Sequence, residues 1–120
     1  MLYVVNYLPE EMSVLFNQPL AVGMAEPDVS EVRDILRTSE WQSLIHDKTV
    51  AETLSLLLNM KIPVAPKKPI RFTYADKLIV FLLNQVEEEI DSKKFIVSYY
   101  KFVYVHLHPL SEVINCQKKL

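Results

Sequence analysis

A chain of 120 residues, half of them hydrophobic and 23% of them charged, can bury the core of one packed domain and is too apolar to be disordered. Its formal net charge of -2 argues against broad electrostatic binding of long DNA or RNA, which requires many cationic contacts with phosphate. The longest apolar run, 78–83, is far shorter than the roughly 20 residues of a membrane-spanning helix. Cys116 is the only cysteine, which excludes an intrachain disulfide, so we expect a soluble protein of a reducing compartment.

The first part of the chain predicts two strands and two helices. Residues 2–7, "LYVVNY", are β-branched and aromatic and are followed by a proline, as in a buried strand. The segment 9–16 starts with a proline and two acids, which favour the first turn of a short helix. A second strand is predicted over 19–24, and the apolar spacing of 28–41 predicts an amphipathic helix.

A leucine-rich helix follows. A short strand over 41–45 leads to His46, after which Thr49 and Glu52 have the spacing of a capping box. The apolar stripe of this helix indicates packing against a sheet, because short helices in water are stable only when one face is buried. Three prolines within 63–69 then exclude regular structure from a basic connector.

The last part of the chain predicts strands. Residues 70–74 form one, and residues 77–85 form another that is apolar on both faces and therefore central in its sheet. Asp91 and Ser92 are predicted to cap a short helix or turn, and a final strand is predicted over 98–109.

Strands and helices therefore alternate irregularly, which predicts an α+β fold. We expect a mixed sheet of about five strands with helices packed on it, in a single domain over residues 1–110. A polar tail is expected at 111–120.

The charged residues are unevenly distributed. Four cations lie in the connector and Lys77 follows them, whereas three consecutive acids occupy 87–89. Such a basic cluster is typical of a solvated loop, and it is also suited to a pocket for a small anion.

His46 is the first candidate for chemistry. It precedes a helix start, where unpaired backbone N–H groups favour a bound phosphate or carboxylate. Histidine ordinarily titrates near neutral pH, so it is able to protonate a departing oxygen. The alternative is a structural histidine that only forms a hydrogen bond within the turn.

Three other groups of residues are candidates for chemistry or binding. His106 and His108 alternate along a strand and share a face, which suits either a metal site without an evident third ligand or a solvated strand face. Cys116 lies in a polar tail without a partner base, which argues against a nucleophile. The aromatic residues of the last strand either stack on bases or belong to the core or an interface: Tyr99, Tyr100, Phe102 and Tyr104.

Taken together, five features resemble one known family. They are the start "LYVVNY", a histidine, acid and threonine before a leucine-rich helix, a short connector, the segment "DKLIVFLLNQ", and an aromatic terminal strand. The chain resembles, over residues 2–107, the small viral ring nucleases that act as anti-CRISPR proteins against type III systems. The likeness is strongest at "IHDKTVAETLSLLLNMKIP" and "ADKLIVFLLNQVEE".

The resemblance implies a homodimer that binds cyclic tetra-adenylate and cleaves it without a metal ion or other cofactor. A ribose 2′-hydroxyl would attack the adjoining phosphate, while His46 would act as general acid on the leaving 5′-oxygen. Glu88 matches an acidic active-site residue, and Asn6 matches an asparagine that closes the first strand. A basic ligand contact falls on Lys67 or Lys68. Such a protein would act in the cytoplasm of the host cell.

Three positions depart from the family pattern. Gln85 replaces an arginine that grips the scissile phosphate, Pro9 replaces a ligand-contacting serine, and Ile45 replaces a glycine before the histidine. Gln85 donates hydrogen bonds but carries no charge, and it cannot form a bidentate guanidinium pair with phosphate. Three functions are therefore weighed: a ring nuclease, a sponge that binds the cyclic nucleotide without cleaving it, and a protein-binding module of the same fold.

Overall fold

The apolar segments predicted as strands form one mixed sheet of five strands with helices packed on it, which confirms the α+β class. The structure is a computed structural model that describes residues 1–109. In chain order its elements are β1 (Leu2–Val5), a 3₁₀ helix (Glu10–Asn17), β2 (Leu20–Ala25), α1 (Val29–Thr38), β3 (Trp41–Ser43), α2 (Lys48–Leu58), β4 (Lys77–Ile90) and β5 (Lys93–Pro109).

The sheet has the strand order β2-β5-β4-β1-β3. Strand β1 pairs in parallel with β3 on one side and with β4 on the other, whereas β4, β5 and β2 pair antiparallel. The predicted central position of β4 is confirmed. Because β1, β3 and β4 are parallel, their carboxyl ends lie at the same edge of the sheet, and the residues that follow β1 and β3 meet there.

Side-chain alternation along the strands builds two cores. One face of the sheet packs against α1 and α2, and the other packs against the 3₁₀ helix and the connector. Fully buried aliphatic side chains such as Val32, Leu54 and Leu58 each contribute about 1.5–3 kcal/mol. Burial of one face therefore holds each helix, as its apolar stripe predicts.

The start of α2 differs from the prediction. Asp47 is the N-cap, and its carboxylate accepts hydrogen bonds from the backbone N–H groups of Thr49 (2.8 Å) and Val50 (3.1 Å). Thr49 therefore lies inside the helix, and its predicted capping box with Glu52 is wrong. Asp47, two positions before Thr49, occupies the N-cap position instead. A capping box is present in α1 instead, where Asp28 and Glu31 bond reciprocally.

The connector between α2 and β4 contains no regular structure, so the strand predicted over 70–74 is wrong. The backbone N–H of Thr73 donates to the carboxylate of Asp76 (2.8 Å), which turns the chain before β4. Phe72 nevertheless packs onto the sheet, with its ring edge-to-face against Tyr3 at a centroid distance of 5.3 Å. The aromatic residues of this segment thus pack in the core and do not belong to a strand.

Strands β4 and β5 are longer than predicted and form a hairpin that projects from the sheet. Asp91 and Ser92 form its turn with positive φ angles of 51° and 62°, so they cap no helix, and β5 begins at Lys93. We call residues 82–100 the arm. The longest dimension of the molecule is 60 Å, and its radius of gyration of 17.1 Å exceeds the roughly 13 Å of a compact chain of this length.

The tail predicted at 111–120, with Cys116, lies outside the described residues. Neither helix within 1–109 is long and apolar enough to cross a membrane.

Candidate functional site

A small cavity lies where the parallel strands β1 and β3 end. Its volume of about 30 Å³ is room for one or two water molecules. One chain therefore encloses nothing larger at this cavity. The cavity is lined by residues that follow β1 and β3, by the 3₁₀ helix and by the connector: Val5, Tyr7, Pro9, Glu11, Leu44, His46, Lys68, Ile70 and Phe72.

His46 is half-buried in this cavity, between the buried Ile45 and the helix cap Asp47. Its Nδ1 atom lies 2.9 Å from the carbonyl oxygen of Ala65. A carbonyl only accepts hydrogen bonds, so Nδ1 carries the hydrogen. In the neutral ring, Nε2 is then the basic nitrogen, and on protonation it becomes a donor while the bond to Ala65 is kept. The ring can therefore take up and release a proton at Nε2 without turning.

Two hydrogen bonds hold the connector against His46. The backbone N–H of Ala65 donates to the carbonyl of Ile45 (2.8 Å), and the carbonyl of Ala65 accepts the bond from the imidazole. Pro63 and Pro66 flank Ala65 and have no backbone N–H, which limits the other pairings open to this segment. The orientation of His46 is thus held by Ala65, which lies 19 residues further along the chain.

Lys68 lines the same cavity as His46, and its side chain is exposed. Lys67 is exposed and does not line it. Tyr7 and Glu11 line the same cavity, and sequence reasoning missed both of them. Glu11 had been explained by the helix dipole alone. Neither residue has a signal in the local sequence, because both reach the cavity through the parallel pairing of β1 with β3 and the fold of the 3₁₀ helix.

Asn6 lies between two cavity residues, Val5 and Tyr7, but does not line the cavity itself. Its Oδ1 atom is buried and accepts no hydrogen bond from the described residues. An unpaired buried acceptor costs about 1–3 kcal/mol. A hydrogen-bond donor that reached Oδ1 would remove that cost.

Gln85 and Glu88 lie on the arm, away from this cavity. Gln85 donates from Nε2 to the Ser98 hydroxyl (3.3 Å), and Glu88 accepts from the Tyr99 hydroxyl (2.8 Å). Glu88 is eight residues beyond Val80, the last residue of β4 paired with β1, which corresponds to roughly 26 Å along the strand. One chain therefore brings His46 and Lys68 together, while the catalytic role of Glu88 stays a prediction that requires a second chain.

The Tyr99 phenol and the Glu88 carboxylate form a hydrogen bond between the two strands of the arm. The hydrogen bond from the phenol to the Glu88 carboxylate raises the pKa of Tyr99, and the negative charge of Glu88 raises it further. Burial is a lesser cause, because this side chain is half exposed.

His106 and His108 lie at the edge of the sheet where β4 begins, opposite the edge at which β1 and β3 end, and their ring centroids are 3.9 Å apart. The predicted shared face is confirmed. The Nε2 atom of His106 is 3.2 Å from the carbonyl oxygen of Tyr74. Within residues 1–109, no group of three or more histidine, cysteine, aspartate or glutamate residues is arranged to hold a metal ion.

Comparisons with known proteins find solved structures of similar fold. No family model matches this sequence, and no curated protein matches it. The fold is similar to that of B116 of Sulfolobus turreted icosahedral virus, with a TM-score of 0.59 and 9% sequence identity. The match covers 88% of this chain and 97% of that chain. At this identity, the likeness shows that the two proteins share a fold.

Proposed function

We propose that the protein is a metal-independent ring nuclease that opens cyclic tetra-adenylate and thereby acts as a viral anti-CRISPR protein in the host cytoplasm. The observation that carries the proposal is the environment of His46. Its Nδ1 is fixed by the Ala65 carbonyl, its Nε2 is available for proton transfer, and Lys68 stands in the same cavity. The fold shared with a virus protein supports it as well.

The reaction needs one proton donor at the leaving oxygen. The ribose 2′-oxygen forms a bond to phosphorus and the bond from phosphorus to the 5′-oxygen breaks, which leaves a 2′,3′-cyclic phosphate and a 5′-hydroxyl. Protonated His46 donates its Nε2 proton to that 5′-oxygen. Lys68 offsets the negative charge that develops on the phosphate oxygens. The proton of the 2′-hydroxyl passes to water or to a base, for which the carboxylate of Glu88 is our candidate.

The ligand requires two copies of the chain. A cavity of about 30 Å³ does not enclose a ring of four nucleotides. In a homodimer, two such cavities would face one ligand, with Asn6 and Lys67 as further ligand contacts. Gln85 lies on the opposite face of the arm from Glu88, so the two residues would not contact that ligand together. His46 of each copy would then lie beside one of the phosphates.

The test is cleavage of labelled cyclic tetra-adenylate in EDTA. We expect linear products from the wild type and a rate about 10²–10⁴-fold lower for His46→Ala. His108→Ala is the matched control, because this histidine lies at the far end of the sheet, and it should cleave at the wild-type rate. If the wild type gives no linear product, the nuclease is refuted.

A sponge is the second candidate function. Gln85 has no charge, and its amide donates to Ser98 within the arm, so it is a poor replacement for an arginine on a phosphate. Calorimetry followed by chromatography separates the two functions. Saturable binding at micromolar ligand with the ring recovered intact would indicate a sponge, and the absence of binding heat would exclude it.

A further inference from the structure

The cavity that holds His46 is also lined by a carboxylate. Glu11 belongs to the 3₁₀ helix (Glu10–Asn17), whereas His46 follows β3, so two separate segments bring these side chains to one cavity. Because the cavity has room for only one or two water molecules, one small group placed there is able to contact both side chains. Of the charged groups that line the cavity, the proposed reaction uses His46 and Lys68 and leaves Glu11 without a role.

The fold places Glu11 at the cavity without using its carboxylate. Met12 and Leu15 are buried in the second core and hold the 3₁₀ helix against the sheet. The Glu11 side chain is exposed, and its carboxylate forms no ion pair with another residue within 1–109. A glutamate ordinarily carries a negative charge near neutral pH, so this group is able to accept a proton.

A negative charge also suits the start of a helix, and Glu10 separates the two explanations. Both glutamates lie in the first turn, where the helix dipole stabilises a negative charge. Both side chains are exposed, but only Glu11 lines the cavity. A role in the helix predicts similar effects from the two residues, whereas a role in the reaction predicts an effect from Glu11 alone.

A carboxylate in this cavity is unfavourable for binding alone. Like charges repel, so Glu11 opposes the attraction of Lys68 for a phosphate. A site that only holds cyclic tetra-adenylate gains nothing from such a residue. A site that cleaves the ring needs an acceptor for the proton of the 2′-hydroxyl, and a carboxylate is one of the groups that act as a general base.

The carboxylate of Glu88 is less well placed for this proton. Glu88 is on the arm, where it accepts a hydrogen bond from the Tyr99 hydroxyl (2.8 Å), and it reaches a His46 cavity only from a second chain. Glu11 and His46 line the same cavity of one chain. One chain thus supplies both a proton acceptor and a proton donor.

We propose that the carboxylate of Glu11 is the general base that accepts the proton of the attacking 2′-hydroxyl. The proposal deepens the proposed function and rests on it. The 2′-oxygen forms its bond to phosphorus as its proton passes to Glu11, and the bond from phosphorus to the 5′-oxygen breaks as His46 donates its Nε2 proton to that oxygen. The chain is left with a protonated Glu11 and a neutral His46, and proton exchange with water restores both.

The test is cleavage of labelled cyclic tetra-adenylate by the full chain in EDTA. Glu11→Gln keeps the size of the side chain but cannot take up the proton, so kcat should fall about 10²–10⁴-fold. KM should stay the same or decrease, because a negative charge beside the phosphate is removed. Glu10→Gln is the matched control and should cleave at the wild-type rate. Glu11→Asp keeps a carboxylate on a shorter side chain and should recover part of the rate.

The dependence of the rate on pH separates a base from a structural residue. The wild-type rate should rise with pH as the base ionises and fall at higher pH as His46 loses its proton. The rise should be lost in Glu11→Gln and kept in Glu10→Gln. The other titratable groups that line the cavity are Tyr7 and Lys68. Tyrosine and lysine ordinarily titrate well above neutral pH, so neither accounts for the rise.

A sulfur substitution in the ligand separates the two proton transfers. When sulfur replaces the bridging 5′-oxygen, the leaving group departs as a thiolate, which is a much weaker base than an alkoxide and needs little protonation. On this ligand the loss caused by His46→Ala should shrink to less than about tenfold. Glu11→Gln should still lose about 10²–10⁴-fold, because the attacking hydroxyl is unchanged. An equal recovery of the two variants would contradict the division of roles.

The outcomes distinguish this proposal from the proposed function. Circular dichroism establishes that each variant is folded. A Glu11→Gln chain that cleaves at the wild-type rate, while His46→Ala does not cleave, retains the nuclease and overturns the role of Glu11. Equal losses from Glu10→Gln and Glu11→Gln overturn it as well, and so does a loss from Glu88→Gln with none from Glu11→Gln. A wild type that leaves the ring intact refutes the nuclease and with it this role.

Discussion

Strands β4 and β5 pass through two different environments. Near the sheet centre, Ile79 and Phe81 lie under α1 and α2, and Leu78 and Val80 face the second core. Beyond residue 81, the same two strands continue as the arm, where Phe95 and Tyr99 are about half exposed. The pairing of β4 with β5 continues through both regions, but in the arm neither strand pairs with a third one and the side chains are less buried.

Apolar side chains therefore have different roles in the arm and in the rest of the sheet, which we call the body. In the body, apolar side chains contribute to the stability of one chain. In the arm, side chains of the same kind bury little within the chain, and their contribution depends on what covers them. Stability of the body should therefore be independent of protein concentration, whereas order in the arm should increase with it in the proposed homodimer.

A pair of truncations gives the largest expected effect. Phe81 is fully buried, so Phe81→Ala should lower the free energy of unfolding by about 3–5 kcal/mol. Phe95→Ala should lower it by less than about 0.5 kcal/mol at a concentration at which the chain is monomeric. Urea denaturation followed by circular dichroism measures both. Similar losses at the two positions would show that the arm belongs to the core of one chain.

The sequence predicted the body better than the arm. A continuous apolar run identified β4 as central, and helical spacing identified α1 and α2. The two strands of the arm were predicted too short because residues 86–97 mix charged with apolar residues. The turn was also missed, because it uses Asp91 and Ser92 without the glycine that usually marks a tight hairpin.

The candidate site was likewise predicted only in part from the sequence. His46 was found from its position before a helix and from the family resemblance, and Lys68 from the resemblance alone. Tyr7 and Glu11 join them only because β1 and β3 pair in parallel and the 3₁₀ helix folds back over their ends. Such contacts depend on strand order and register, which local spacing does not specify.

The second prediction concerns the body. Asp47→Ala removes the side chain that accepts bonds from two N–H groups at the start of α2, and we expect a loss of about 1 kcal/mol in unfolding free energy. Asp47→Asn should retain most of the stability, since an amide oxygen also caps a helix. Urea denaturation compares the two. Equal losses would show that the charge and not the cap is responsible.

The third prediction concerns the tip of the arm. Ser92 adopts a φ of 62°, which glycine adopts without strain, so Ser92→Gly should slow amide hydrogen exchange in residues 86–97 about two- to threefold. A glycine in the adjoining strand, Ser98→Gly, should speed exchange there and is the control. Unchanged exchange on Ser92→Gly would show that the turn does not limit the order of the arm.

The smallest expected effect is the titration of Tyr99. The hydrogen bond to Glu88 and then its charge favour the protonated phenol in the folded chain, so the pKa of Tyr99 lies above the ordinary value of 10.0. The contribution to stability is therefore present below pH 10.0 and is lost as the pH rises through the raised pKa. NMR of the ring carbon that bears the hydroxyl follows this residue individually.

Glu88→Gln tests the cause of this shift. A glutamine keeps an acceptor for the phenol but removes the negative charge, so the pKa of Tyr99 should fall part of the way back towards 10.0, and Glu88→Ala should return it further. A Tyr99 pKa that stays equally raised in both variants would show that Glu88 is not the cause.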